Sequence, residues 1–286
     1  MFDRYRRSLQ LARASFAILQ GDRALLVFPL ASFLTLIVVG FSFFVPIVAV
    51  GVVDGKATPA AYILGFLFYV VSYSVTFFFQ TALVGAALLR LDGKPATTSD
   101  GMRIASGRLG SIVGYALVAA TVGMVLRAVA ERAGIIGSIV IGIIGFAWSV
   151  ATFLVVPVLV VENTGPVDAI RRSAALLKQT WGEQLLGNVG IGAIFGILMF
   201  LTFLVAAVLV ALVANVSVAL VFGVIVAAVV VLFALGLISS ALTGIYTASL
   251  YRYATQGDAG TFGSETMAAA FKTRSGGVKG LLGGSS

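Results

Sequence analysis

Six uninterrupted apolar segments, separated by short loops that hold nearly all the charge, fill most of this chain. A helix needs about 20 apolar residues to cross a hydrocarbon core of about 30 Å. Runs at approximately 24–53, 60–89, 111–130, 135–161, 186–214 and 218–250 meet that length. The third is apolar from Ser111 to Leu126, and its helix is expected to continue past Arg127, whose long stem lets the charge reach the headgroups. None of the runs alternates with period 2, and all exceed the roughly 10 residues of a barrel strand. Only 10% of residues are charged, against about 25% in a soluble domain. The expected fold is therefore all-α: a polytopic six-helix membrane bundle over residues 1–254. Residues 255–286 are expected to form a cytoplasmic tail whose Gly/Ser-rich end is disordered.

Charge sorts by side. The N-terminal segment, the loops after the second and fourth spans, and the tail together carry 16 of the 19 Lys and Arg residues. Lys56, Arg127 and Arg132 lie in the alternate loops. Basic residues are retained in the cytoplasm, so the expectation is a multi-pass plasma (inner) membrane protein with both termini inside. The net charge of +8 is then read as topology and attraction to anionic lipid, rather than as nucleic-acid binding. The first apolar run is about twice as long as a signal-peptide core, so it is expected to stay as an anchor. The chain has no Cys and no His, which removes the thiolate nucleophile, the disulfide and the commonest general base and metal ligand. No acidic residue sits inside a span to activate a hydroxyl, and no acids have metal-ligand spacing. A non-enzyme without cofactor or metal is expected.

The cytoplasmic segments read as basic amphipathic helices. In Pro166–Trp181, Val167, Ile170, Ala174, Leu177 and Trp181 recur at helical spacing, with Asp168, Arg171, Arg172 and Lys178 opposite. Leu9, Ala12, Phe16 and Leu19 repeat the pattern against Arg6 and Arg13, and a weaker copy near Asp100 holds Met102, Ala105 and Leu109. Arg13, Arg103, Arg108, Arg171, Arg172 and Lys178 form the candidate surface for anionic lipid or a cytosolic protein partner. An amphipathic helix followed by a hairpin, three times over, suggests a three-fold plan. Turns at Asp92–Pro95, Glu162–Pro166 and Gly257–Gly260 follow the even-numbered spans and echo one another.

Inside the spans, Tyr69, Ser72, Thr76 and Gln80 share one face of the second, and Ser240, Thr243 and Thr247 one face of the sixth. Such seams serve interhelical hydrogen bonding or line a solute path, and hydrogen bonding is preferred because no ionisable residue joins them. Small residues recur every four positions at Gly236, Ser240, Gly244 and Ala248, at Gly192 and Gly196, and at Gly134, Ser138 and Gly142. Packing within one bundle is preferred over dimerisation there, with the oligomeric state left open. Pro29, Pro46 and Pro157 are candidate kinks, and Trp181 a candidate interfacial anchor.

Asp100-Gly101-Met102-Arg103, Ala116–Leu126, Ala147–Phe153, Val156–Glu162, Ala169–Ser173, Thr180–Glu183 and Leu250–Ala254 resemble a prokaryotic six-transmembrane-helix family catalogued as a domain of unknown function. More distantly the chain is similar to the membrane domains attached to some glycerophosphodiester phosphodiesterases, whose catalytic domain has no counterpart in these residues. The resemblance implies the six-span fold and the N-in, C-in topology, and it supplies no activity. The functional expectation is a membrane scaffold or accessory protein engaging anionic lipid or a cytosolic partner. The alternative is a transporter or channel for a small apolar or lipid-like solute, which a cavity along the Tyr69–Gln80 seam would favour.

Overall fold

Pro and small polar residues set where the helices begin and end. The computed structural model describes residues 23–49, 58–181 and 191–257. A 3₁₀ turn at Arg23–Leu26 leads into α1 (Val27–Ala49). Thr58 caps α2 (Pro59–Leu91), accepting from the Ala61 N–H at 3.2 Å with Pro59 in the first turn. Then come α3 (Thr98–Ser106), α4 (Leu109–Ala130), α5 (Gly134–Ala151), α6 (Val155–Glu162), α7 (Pro166–Trp181), α8 (Ile191–Val213) and α9 (Val218–Gln256). The described residues contain no strand, and six of their helical stretches are long and apolar enough to cross a membrane. The N-terminal segment with Arg13, the loop with Lys56, and the tail beyond residue 257 lie outside the described residues, as does the side chain of Trp181.

The three echoing turns share a backbone device. Gly93, Asn163 and Gly257 each adopt positive φ (74°, 49° and 72°) just past a helix. At Gly93 the Lys94 N–H reaches the Leu89 carbonyl and the Gly93 N–H the Arg90 carbonyl, a left-handed cap that satisfies the last carbonyls of α2.

One expected element is divided. The fourth span breaks at residues 152–154 into α5 and α6. Pro157 has no N–H to offer the Phe153 carbonyl, and its ring crowds that group, so the helix restarts with Pro157 in its first turn. The break takes the Leu154 N–H out of the helical ladder. The Ser173 hydroxyl of α7 accepts it at 3.0 Å, in a fully buried contact. Pro29 and Pro46 cause no such interruption: α1 is continuous through both.

At 33 and 39 residues, α2 and α9 run to about 50 and 58 Å at 1.5 Å per residue, well beyond a hydrocarbon core. The surplus lies at their C-terminal ends, where the burial is concentrated. Thr81–Ala87 of α2 and the Ala241–Tyr251 region of α9 pack with Ala105, Ile112, Leu159, Ala169 and Leu176 from the shorter helices. The opposite ends show Phe41, Phe44, Ile63, Ile143, Phe203 and Phe222 outward, as lipid-facing positions should. α2 is the hub, touching α1, α3, α4, α6 and α9.

α7 corrects one expected face. The residues turned inward are Ala169, Ser173, Leu176 and Leu177, while Val167 is exposed. Placing Ser173 against the α5–α6 break rotates the helix by about one position, so its apolar side is spent on protein. Leu109, expected on the inner face of the helix near Asp100, is likewise exposed and begins α4.

Candidate functional site

The polar seam of α2 does not act as one surface. At its N-terminal end the Tyr69 hydroxyl accepts from the Arg127 guanidinium of α4 at 3.1 Å, and Arg127 also donates to Glu131 at 3.0 Å. Tyr69 and Tyr73 line a small hollow of about 170 Å³ with Gly123, Met124 and Arg127. Below it, Ser72 Oγ is buried with no hydrogen-bond partner among the described residues, and Thr76 donates back to the Ser72 carbonyl at 2.9 Å. Thr243 and Thr247 of α9 likewise bond carbonyls of their own helix. The seam crosses between helices at the Tyr69–Arg127 contact.

Toward the basic end, Thr76 and Gln80, on the same face of α2, meet α1 and α9 instead of α4. There they line a half-open cavity of about 240 Å³ shared with α1 and α9. Ser32 and Ser240 add hydroxyls from the facing helices, and Phe33, Leu36, Phe79, Leu83, Phe233 and Leu237 supply apolar wall. The Phe33 and Phe233 rings meet with centroids 4.5 Å apart. Among the described residues, none that lines the space is charged. Most hydroxyls in these spans donate to a carbonyl four residues back, as Thr35, Ser42, Ser74 and Thr121 do. Such back-bonding is the usual way to satisfy a hydroxyl in a membrane helix. Ser32, Gln80 and Ser240 make no hydrogen bond to any described residue and face the cavity instead.

Ser32, Phe33 and Phe233 were not singled out from sequence. Ser32 had a signal: with Pro29 and Leu36 it repeats at steps of three and four. The two phenylalanines look like any lipid-facing aromatic until α1 and α9 are brought together. The small-residue stripe of α9 divides on the same boundary. Gly236 and Ser240 line the cavity, whereas Gly244 packs on the Leu83 side chain and Ala248 is fully buried. Gly142 and Gly196 have open space where a side chain would be.

The basic side chains at the other candidate surface fall into two groups. Arg172 donates from Nε to both Glu162 oxygens at 2.9 and 3.1 Å, and the Tyr251 hydroxyl donates to the same carboxylate at 3.1 Å. This ties α6, α7 and α9 together. Arg252 pairs with Asp92 at 2.6 Å, joining α9 to the end of α2. Arg108 leans on the Val160 carbonyl at 3.4 Å. By contrast Arg103 and Arg171 are mostly exposed, each paired among the described residues with the acid three residues earlier on its own helix, and Lys178 is exposed. Asp100 forms a capping box with Thr97: its carboxylate accepts from the Thr97 hydroxyl at 2.7 Å and N–H at 3.0 Å. Chiefly that hydroxyl, then the N–H, holds the Asp100 carboxyl below the ordinary 3.8, with Arg103 adding to the effect.

Among the described residues, no group of three or more His, Cys, Asp or Glu could hold a metal ion. No curated protein and no solved structure matches the chain. Residues 59–262 match a family of unknown function, DUF6159, a stretch that takes in every helix from α2 to α9. With well over half of its length matched, the chain belongs to that family of unknown function.

Proposed function

We propose that this is a non-enzymatic accessory protein of a prokaryotic plasma membrane, with both termini in the cytoplasm, that engages anionic lipid through its basic end. The observation that carries the reading is the division of labour among the arginines. Arg172 and Arg252 are consumed in holding helices together, while Arg103, Arg171 and Lys178 stand exposed. A basic residue near an anionic surface contributes about 1 kcal/mol, fading over the Debye length. Three together give a bias of a few kcal/mol at most. Replacing Arg103, Arg171 and Lys178 with Gln leaves the ion pairs of Arg172 and Arg252 intact. Lipid analysis of that variant, purified from native membrane, should show less anionic lipid retained, with the difference shrinking in high salt. An unchanged lipid profile would favour a cytosolic protein partner on the same surface.

A second reading, movement of a small apolar or lipid-like solute, is favoured by the half-open cavity at Thr76 and Gln80. Solute flux in proteoliposomes that falls on filling this cavity, with folding unchanged, would support it.

A further inference from the structure

We propose that the cavity between α1, α2 and α9 is a binding site for an uncharged amphiphile of the bilayer interior: an apolar chain or ring bearing one hydroxyl or carbonyl group that bonds Gln80. The assignment deepens the second reading above by naming the occupant of its cavity, and it holds whether or not that occupant is moved. Three observations converge on it. First, the space has a volume of about 240 Å³, larger than the roughly 150 Å³ apolar cavity that takes up benzene. Its half-open side lets the rest of a longer molecule lie in the surrounding lipid. Second, Ser32, Gln80 and Ser240 converge from three helices with no hydrogen bond to any described residue. A polar group left unsatisfied in hydrocarbon is costly, and a ligand hydroxyl or carbonyl would relieve it. Gln80 offers both a donor and an acceptor, so either group fits. Third, among the described residues no Lys, Arg, Asp or Glu lines the space, so an ionised headgroup would enter without a counter-charge from them.

The probe is a long-chain alcohol carrying a diazirine in its chain, added to the full-length protein in lipid nanodiscs and photolysed. Adducts should concentrate within residues 29–36, 76–83 and 233–240. Excess unlabelled alcohol should suppress them about tenfold more effectively than an alkane of equal length, the scale of one neutral hydrogen bond. Gln80→Leu should fold normally and erase that preference. Gly236→Leu, which places a side chain in the cavity, should remove the adducts. Should that variant not fold, Ser32→Leu fills the space from the opposite wall. The Arg103, Arg171 and Lys178 variant should label like wild type, so failure of the basic surface and failure of this site are separable. Adducts spread evenly over Val38, Phe203 and Val229, suppression by a fatty-acid anion equal to that by the alcohol, or an unchanged preference in Gln80→Leu would each overturn the proposal.

Discussion

A methyl group on Gly101 would sit 2.5 Å from the Ala82 carbonyl oxygen and 2.6 Å from the Phe28 ring. The first neighbour is backbone, which cannot swing aside, so α3 lies on α2 at a separation only glycine permits. Gly101→Ala should cost about 1–3 kcal/mol, the range for overpacking a filled core, read as a lower unfolding temperature in detergent. Gly110→Ala, where a side chain meets open space, is the matched control. Nearby, the capping box gives a pH signature whose sign follows from the depressed Asp100 carboxyl. Stability from the ionised cap is fully present above the ordinary 3.8 and is lost as pH falls through the lower folded value. Wild type should therefore exceed Thr97→Ala at neutral pH, with the gap closing in acid. A gap that stays constant to pH 3 would show that the carboxylate is not involved. The Thr97–Asp100 spacing is visible in sequence. The Gly101 contact is not, because nothing local says that Ala82 and Phe28 will arrive beside it.

At the scale of elements, apolar run length and loop composition were enough to anticipate the six spans, and turn residues to anticipate where α2, α6 and α9 stop. The division of the fourth span was not legible. Val155–Val161 is as apolar as its surroundings, and Pro157 alone is compatible with a kinked helix. What settles the break is a partner for the exposed N–H, and Ser173 supplies it from a helix expected to face elsewhere. Hydrophobic periodicity misjudged α7 for the same reason: one buried hydroxyl outweighed the best apolar stripe. Ser173→Ala should leave the Leu154 N–H unpaired in a dry contact and cost about 1–3 kcal/mol. Ser138→Ala, an exposed hydroxyl bonded within its own helix, should be close to neutral. Equal effects in the two variants, measured by denaturation, would mean that the contact contributes little. The α2 seam shows the same limit: four residues at helical spacing defined a face, but which neighbours met it depended on how α1, α4 and α9 pack.

At the scale of the molecule, the 16-to-3 partition of basic residues predicts which end faces the cytoplasm. The chain has no Cys, so each introduced thiol is unique. Lys56→Cys should react with an impermeant thiol reagent in intact cells, and Lys94→Cys and Lys178→Cys should react only after lysis. The reverse pattern would invert the topology. The packed base and the open far end also predict uneven protection. Amide exchange should be slowest in Thr81–Ala87 and Ala241–Leu250 and faster at Val218–Val226, where α9 has few protein neighbours.

Because α2 is the hub, the order of synthesis becomes a constraint. Its small-residue stretch Thr81–Ala87 enters the membrane early, yet the α9 surface that covers it is made more than 150 residues later. Through that interval α2 waits with Leu83 and Gln80 turned toward lipid. A ribosome-attached chain ending before α9 should therefore be a marked target for membrane proteolysis, and pulse-labelled chains should gain protease resistance in one step as the final hairpin emerges.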